Sequence, residues 1–317
     1  MHMEKKIRIV FMGTPDFAAN VLKGLVEAKY NIVAVVSQPD KEVGRKRILT
    51  PSPVKKMALE LNLDVLTPLK IRKEYEKVLS YKPDLIITCA YGQIIPKELL
   101  DYPKYKCINT HGSLLPKGRG GAPIQRSIIN GEEETGSTIM FMNEKMDEGD
   151  ILYQKKLLID IKDTNATLFT KLSYLALEML LEFLPDYIKG NYKAIKQDSN
   201  EATYSYNLSK QDEFISYNRP VKVVYNHIRG LLDNPGAYFV VNDKKYKLIE
   251  VDFNYEENTC PSLVKGLEGN YFRIDCLDGF IKILKIKPEG KNAMDAKAFF
   301  NGSGRSLVNM KAKESYE

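Results

Sequence analysis

The chain has 317 residues, of which 44% are hydrophobic and 28% are charged, a balance that predicts a folded globular protein and excludes an intrinsically disordered one. No stretch approaches the roughly 18 consecutive apolar residues that a membrane span needs, so we expect no membrane partner. The net charge of +6 is compatible with a nucleic-acid partner without requiring one.

The first half of the chain alternates between apolar runs typical of buried strands and segments with helical spacing. Strands are predicted at 7–12, 31–37, 64–66, 85–89 and 105–111, with helices opening at Thr14-Pro15, Ser52-Pro53, Pro96 and Pro123. Near-continuous Val/Ile strands separated by helices are typical of a parallel sheet covered on both faces. Strands near 135–142 and 151–159 should add to it in antiparallel fashion, and a long helix should cover Leu168–Leu184.

The second half of the chain changes character after a polar stretch at 185–206 that we interpret as a linker. A helix is predicted at 221–232, followed by short strands with turn signals between them, a pattern typical of a small β-barrel or sandwich. The predicted fold class is therefore α/β: a Rossmann-like, mostly parallel N-terminal domain at 1–190, a linker at 191–206, and a smaller β-rich, OB-like C-terminal barrel at 207–317. Such barrels often bind nucleic acid.

The four cysteines, Cys89, Cys107, Cys260 and Cys276, form no C-x-x-C pair, which argues against a zinc ribbon or a redox motif. Cys89 and Cys107 lie in apolar runs, where buried free thiols are expected. Together with a start that passes from charged residues directly into a strand, they favour a reducing, cytoplasmic location. No cluster of metal ligands is visible, so we expect no metal.

A pair of polar side chains ends the fifth predicted strand. Asn109 and His111 in CINTHG lie two positions apart, so the period of a strand places them on one face. They also lie at its carboxyl end, where open parallel sheets bind ligands. A catalytic pair and a core histidine bonded to backbone both fit this pattern.

Two other segments carry candidate chemistry. NEKMDEGDILY at 143–153 contains Asp147 and Asp150 around Gly149, which fits either an acidic site or an ordinary hairpin turn. QPDKEVGRKRILTPSPVK at 38–55 carries Lys41, Arg45, Lys46 and Arg47 in a long connection. These four residues indicate either a solvated charge run or an arm for a phosphate-bearing partner.

The first predicted strand-turn-helix has the sequence GTPDF and lacks the G-x-G-x-x-G fingerprint of dinucleotide-binding proteins. Its absence argues against a dinucleotide-dependent oxidoreductase.

Several motifs together resemble the methionyl-tRNA formyltransferase family over the whole chain. They are FMGTPDFA at 11–18, QPD…GR…PSPVK at 38–55, AYGQIIP at 90–96, INTHGSLLPKGRGGAPIQRSI at 108–128, ETGSTIM at 134–140 and MDEGDIL at 146–152. The central N-x-H-G-S-L-L-P with a later D-x-G-D belongs to the wider superfamily of folate-dependent formyltransferases and hydrolases. Where the family commonly has an aromatic residue before the R-G pair, this chain has Gly118.

The resemblance implies an enzyme of translation initiation that moves a formyl group from 10-formyltetrahydrofolate to methionyl initiator tRNA. It implies catalytic roles for Asn109, His111 and Asp147. It also implies that Ser113, Leu114, Leu115 and Pro116 line the tetrahydrofolate site. Lys41, Arg45, Lys46 and Arg47 would meet the tRNA, with Arg45 the nearest match to the family's key arginine. We expect a monomer that uses no metal.

The core motif alone is also compatible with other functions. A formyltransferase acting on a nucleotide sugar or a purine intermediate, or a formyltetrahydrofolate hydrolase, would share it. The β-rich C-terminal extension and the PSPVK segment argue against all of these. A non-catalytic RNA-binding protein on the same scaffold is a further alternative, although it would have no use for an intact Asn109, His111 and Asp147.

Overall fold

The computed structural model describes residues 6–44 and 46–316 of the chain. The helices are α1 (Asp16–Glu27), α2 (Pro53–Glu60), α3 (Ile71–Leu79), α4 (Lys97–Asp101), α5 (Pro123–Ile129), α6 (Asn165–Lys189), α7 (Val221–Arg229) and α8 (Ala296–Asn301). The strands are β1 (Ile9–Gly13), β2 (Ile32–Val36), β3 (Lys41–Val43), β4 (Ile48–Thr50), β5 (Val65–Leu66), β6 (Leu85–Cys89), β7 (Cys107–His111), β8 (Glu134–Phe141), β9 (Ile151–Leu158), β10 (Ala237–Val241), β11 (Lys244–Tyr255), β12 (Val264–Glu268), β13 (Tyr271–Asp275), β14 (Gly279–Pro288) and β15 (Met294–Asp295).

The chain divides into two compact units. The first comprises the residues up to Pro123 together with Glu134–Leu158 and Phe169–Ser205. The second comprises Ile124–Glu133, Ile159–Leu168 and the residues from Tyr206 onward.

The first unit is built on a seven-stranded sheet in the order β5-β2-β1-β6-β7-β8-β9. The pairings among β5, β2, β1, β6 and β7 are parallel, and β8 and β9 are antiparallel additions. Every residue of β1 and β6 is buried, because both faces of a doubly covered parallel sheet lie against other elements. This confirms the prediction of a mostly parallel α/β domain with an antiparallel extension.

The helices of the first unit depart from the sequence prediction in three places. Thr14 does not cap α1; its hydroxyl donates to the Tyr91 carbonyl at 2.8 Å, and Pro15 occupies the cap position. Ser52 does cap α2 by accepting from Lys55 N–H. Helix α3 had not been predicted, and α6 continues through Pro185 to Lys189, beyond the predicted end at Leu184.

The segment at 38–50, predicted as part of a long connection, contains a β-hairpin. Strands β3 and β4 pair antiparallel in register from Lys41–Thr50 to Val43–Ile48. Every residue of the two strands is exposed, so no alternation of buried and exposed positions marks them in the sequence.

The second unit contains an antiparallel sheet in the order β10-β11-β14-β13-β12, with β15 also paired to β14. One face of this sheet, together with α7 and α8, packs around a core that includes Tyr217, Phe239, Phe272 and Phe299. The expectation of a β-rich C-terminal domain is confirmed, although strands β12 and β15 had not been predicted.

Candidate active site

The polar end of β7 lies between a parallel neighbour and an antiparallel one. Asn109 pairs with Thr88 of β6 and with Met140 of β8, while His111 pairs with Thr138 of β8. Their spacing of two places both side chains on one face of the sheet. The Thr88 hydroxyl lies 2.8 Å from Oδ1 of Asn109. Since Oδ1 accepts from this hydroxyl, and since Nδ2 has no hydrogen-bond partner among the described residues, the amide can donate elsewhere.

The His111 ring is held by the glycine-rich loop that follows β7. Its Nε2 lies 2.9 Å from the carbonyl oxygen of Gly118, and because a carbonyl only accepts, Nε2 carries the hydrogen. Gly118 has φ of +74°, the left-handed conformation that turns this carbonyl toward the ring. Ser113 supports the same turn by donating to the Lys117 carbonyl at 2.6 Å. The remaining ring nitrogen, Nδ1, is therefore the one that faces Asp147.

Asp147 lies in the connection between β8 and β9. Its Oδ2 is 3.8 Å from Nδ1 of His111, and the side chains are only 9% (His111) and 17% (Asp147) exposed. The Gly120 N–H donates to the same Oδ2 at 2.9 Å. The other carboxylate oxygen, Oδ1, receives no hydrogen bond from residues 6–44 or 46–316, which leaves it available to accept a proton. The structure thus brings Asp147 to His111, from 36 positions further along the printed sequence.

The four residues predicted to line a folate site follow His111 directly and differ in exposure. Ser113 and Leu115 are buried, whereas Leu114 and Pro116 are half-buried. Leu115 N–H and the Ser113 carbonyl both bond to the Thr138 hydroxyl, at 3.2 and 2.7 Å, which ties the segment to β8. Leu114 and Pro116 therefore offer the accessible apolar surface, while Ser113 and Leu115 hold the segment in place.

Three of the four basic residues predicted to meet tRNA lie in the hairpin formed by β3 and β4. Lys41 lies in β3, and Lys46 and Arg47 lie in the turn before β4; all three are exposed. Arg47 forms an exposed ion pair with Glu42 at 3.1 Å. Arg45 lies outside the described residues.

Two residues of the site had escaped the sequence analysis. Among the described residues, Arg119 is the largest of the fully buried side chains, with 1% exposure, and Gln197 is 6% exposed. Gln197 comes from the stretch that had been interpreted as a linker. This stretch is hydrogen-bonded to the glycine-rich loop: Arg119 N–H donates to the Thr203 carbonyl, and Ser205 N–H donates to the Arg119 carbonyl. The only feature of the sequence that could have pointed to Arg119 was its position between glycines in KGRGG.

The cysteines do not contribute a nucleophile to this site. Cys89, Cys107 and Cys276 are buried free thiols, as had been expected for the first two, and Cys260 is exposed. Burial raises the pKa of Cys89 to about 12 and also raises the pKa of Cys107, so neither forms a thiolate near neutral pH. Within the described part of the chain, no group of three or more His, Cys, Asp or Glu side chains is placed to hold a metal. No described helix has the length and apolar composition of a membrane span.

Comparison with known proteins agrees with this fold. The formyl transferase family model matches residues 5–184, and the model of the formyl transferase C-terminal domain matches residues 207–304. These two matches, to the mostly parallel N-terminal sheet domain and to the C-terminal domain, define the class as formyl transferases.

Curated relatives narrow the class. The methionyl-tRNA formyltransferase of Geobacillus sp. (strain WCH70) is 46% identical over 323 residues, covering 98% of this chain and 99% of that protein. The methionyl-tRNA formyltransferase of Listeria innocua serovar 6a is 44% identical over 306 residues, covering 95% and 97%. The chain belongs to the methionyl-tRNA formyltransferase family.

Solved structures with a similar fold are more distant. HypX from Aquifex aeolicus in complex with tetrahydrofolic acid has a TM-score of 0.67 and 20% identity, covering 95% of this chain and 48% of HypX. The chain thus spans about half the length of HypX. WlaRD, a sugar 3N-formyl transferase solved with dTDP and 5-N-formyl-THF, has a TM-score of 0.65 and 22% identity, covering 90% and 99%. At these identities the likeness shows the fold alone.

Proposed function

We propose that the chain transfers the formyl group of 10-formyltetrahydrofolate to the α-amino group of methionyl initiator tRNA. The observation that carries this proposal is the approach of Asp147 to His111 beside Asn109, at the carboxyl edge of the sheet. The names of the curated relatives supply the substrate class. We further propose that the protein works as a monomer in the cytoplasm.

Asn109 and His111 would stabilise the charge that develops on the formyl oxygen. As the amine nitrogen bonds to the formyl carbon, this oxygen becomes an oxyanion, and donors aimed at it lower the barrier. The Asn109 amide donates through Nδ2, because Oδ1 faces the Thr88 hydroxyl. Protonated His111 donates through Nδ1, because Nε2 is committed to the Gly118 carbonyl.

Asp147 would handle the proton that the attacking amine must lose. When the bond from the formyl carbon to N10 of the folate breaks, N10 gains a proton and the amine nitrogen has lost one, so protons balance. The free Oδ1 of Asp147 is suited to accept the amine proton directly or through water. Its Oδ2, held by Gly120 N–H, lies 3.8 Å from Nδ1 of His111 and would orient the ring.

The segment after β7 fits a flat, largely apolar ligand. Half-buried Leu114 and Pro116 can pack against a ring system, while Ser113 and Leu115 are fixed to β8. Small-molecule sites commonly combine such apolar walls with a few placed polar groups. We propose that tetrahydrofolate lies along this segment and presents its formyl group to Asn109 and His111.

RNA would be bound through phosphates by two basic surfaces. One is the hairpin with Lys41, Lys46 and Arg47, to which we add Arg45 from the sequence. The other is a lysine face on the C-terminal sheet. Lys247 of β11 pairs across the strands with Lys287 of β14, and their neighbours Tyr246 and Ile286 are buried.

Period two therefore places the lysine face, Lys245, Lys247, Lys285 and Lys287, on the outer side of the sheet. Double-helical RNA offers backbone and shape more than base edges. Initiator recognition would then depend on how easily the acceptor end opens. Binding of this kind weakens steeply with salt. If the affinity for Met-tRNA were constant from low to moderate salt, phosphate contacts would not be its source.

The deciding experiment is a formyl-transfer assay with 10-formyltetrahydrofolate and charged initiator tRNA. Uncharged tRNA, which lacks the methionyl amine, is the control and should accept no formyl group. Asn109→Ala and His111→Ala should each retain the fold and lose about 10²–10³ in kcat, the usual cost of one oxyanion donor. Asp147→Ala should lose about 10²–10⁴ in kcat, the usual contribution of a group that accepts a proton. Near wild-type turnover by folded Asp147→Ala would remove the carboxylate from the mechanism. Transfer to a nucleotide amino sugar instead of the tRNA would favour the alternative substrate class.

A further inference from the structure

Arg119 is a buried charge whose side chain points into the loop that carries Asp147. Its Nε and Nη2 donate to Oε1 of Gln197 at 3.1 and 2.9 Å, and its Nη1 lies 3.3 Å from Oε1 of Glu148. Burying a guanidinium is costly unless it is fully paired. Arg119 therefore fixes the position of each group that it contacts.

Gln197 passes this constraint on to the backbone at Asp147. Its Nε2 donates to the carbonyl oxygens of Asp147 and Gly149, at 2.8 and 2.7 Å. The orientation of the amide is determined, because Oε1 must face the donors of Arg119 and Nε2 must face the two carbonyls. Every polar atom of this buried side chain is used, and none contacts the histidine or the carboxylate.

The loop needs such support because its conformation is strained. Asp147 has φ of +54°, a left-handed conformation that is unfavourable for a residue with a side chain by on the order of 1 kcal/mol or more. Gly149 packs so closely that a Cβ there would lie 1.7 Å from the Phe141 carbonyl oxygen. Gly120, the residue after Arg119, holds the Asp147 carboxylate in place because its N–H donates to Oδ2.

We infer that Arg119 and Gln197 are positioning residues that set the distance between Asp147 and His111. This inference rests on the proposed formyl transfer, in which Asp147 acts only at the right distance. Displacing a reacting group by about 1 Å can cost on the order of 10²-fold in rate. Because neither residue lies among those placed against the substrates, their loss should lower kcat and leave both KM values unchanged.

Gln197→Glu isolates the link to the Asp147 backbone. The carboxylate is nearly isosteric and still accepts from Arg119, but it has no hydrogen to donate to the two carbonyls. We expect kcat to fall by about 10- to 100-fold, with KM for folate and for Met-tRNA within about twofold of wild type. Asn165→Asp is the matched control, since buried Asn165 also donates from its amide nitrogen to a backbone carbonyl, that of Asn234, at 2.9 Å. It should change stability alone.

A double-mutant cycle separates positioning from general damage. If Gln197 acts through Asp147, then Gln197→Glu should lower kcat little further in an Asp147→Ala background, as for residues that act as a unit. A further loss equal to that in wild type would overturn the inference, as would unchanged kcat in folded Gln197→Glu. If wild-type protein transferred no formyl group, the proposed function itself would fail instead.

Arg119→Lys provides a second route if Gln197→Glu does not fold. One ammonium group cannot replace the guanidinium fork on both Gln197 and Glu148, so the same loss in kcat and the same non-additivity with Asp147→Ala are expected. Arg229→Lys is its control, because Arg229 is 3% exposed and donates to the Asp160 and Asp163 carbonyls at 3.0 and 2.7 Å. Equal losses of kcat in both lysine variants would overturn the inference.

Discussion

His227 should make the stability of the C-terminal unit depend on pH. Its Nε2 donates to the Asp212 carbonyl and its Nδ1 accepts from Nη2 of Arg219, both at 2.8 Å. Burial, reinforced by the Arg219 charge, lowers the pKa of His227 to about 4, from an ordinary value of 6.5. A proton added at Nδ1 would face the guanidinium, so the folded state keeps the ring neutral.

The magnitude follows from linkage between protonation and folding. Between pH 6.5 and about 4, the unfolded chain binds a proton that the folded chain does not, so stability falls as the pH is lowered. The difference between a pKa of 6.5 and one of about 4 corresponds to about 3 kcal/mol in full. At pH 5, where the folded state is still mostly neutral, the loss should be about 2 kcal/mol relative to neutral pH.

His227→Gln removes the titration while keeping one amide donor and one acceptor. The chain has no tryptophan, so unfolding in urea is followed by circular dichroism, and hydrogen exchange in β11 and β14 reports on the C-terminal unit itself. We expect wild type to lose about 2 kcal/mol more than the variant between about pH 7.5 and pH 5. Equal losses in the two proteins would refute the neutral, buried histidine.

Three further changes test the contacts around the site and the RNA surface. Thr88→Val removes the hydroxyl that orients Asn109, so kcat should fall about tenfold with unchanged KM values, measured by steady-state formyl transfer. Gly118→Ala adds a side chain at φ +74°, so the protein should lose about 1 kcal/mol in urea unfolding, and kcat should fall as the carbonyl bonded to His111 tilts. Lys287→Glu should weaken Met-tRNA binding and reduce the salt slope by about one, with kcat at saturating tRNA unchanged.

The parallel sheet was predictable because its signal is local. Buried strands such as β1 and β6 are continuous apolar runs, and their alternation with helices determines the class of sheet. The elements that were missed carry no such signal. The hairpin of β3 and β4 is exposed throughout, and β12 (VKGLE) contains a glycine and two charged residues. Helix α3 is nine residues long and buries only two of its side chains, so its apolar signal is short.

The site was predictable to the extent that its residues share one strand. The period of two placed Asn109 and His111 on one face without further information. The catalytic role of Asp147 could be predicted only from the family resemblance, because the local sequence around it also fits an ordinary turn. Arg119 and Gln197 lie 78 positions apart. In the sequence, each stands in a polar segment of the kind that is usually exposed to solvent. Their burial follows only from tertiary folding, which brings the segment after α6 back against the glycine-rich loop.

Backbone atoms explain why the departure at Gly118 leaves the catalytic set intact. His111 contacts the carbonyl oxygen of this residue, and Asp147 accepts from the N–H of Gly120. A sequence motif specifies side chains, whereas these two contacts use backbone atoms. Any residue at position 118 has the carbonyl oxygen, and any residue except proline at position 120 has the N–H. What the site requires is the left-handed backbone at 118, which glycine adopts without strain. A larger residue there, as the family commonly has, must instead be held in that conformation by its own packing, since a Cβ would approach Ser113 to 3.0 Å. The glycine therefore exchanges side-chain packing for conformational freedom while keeping the contact that orients the histidine.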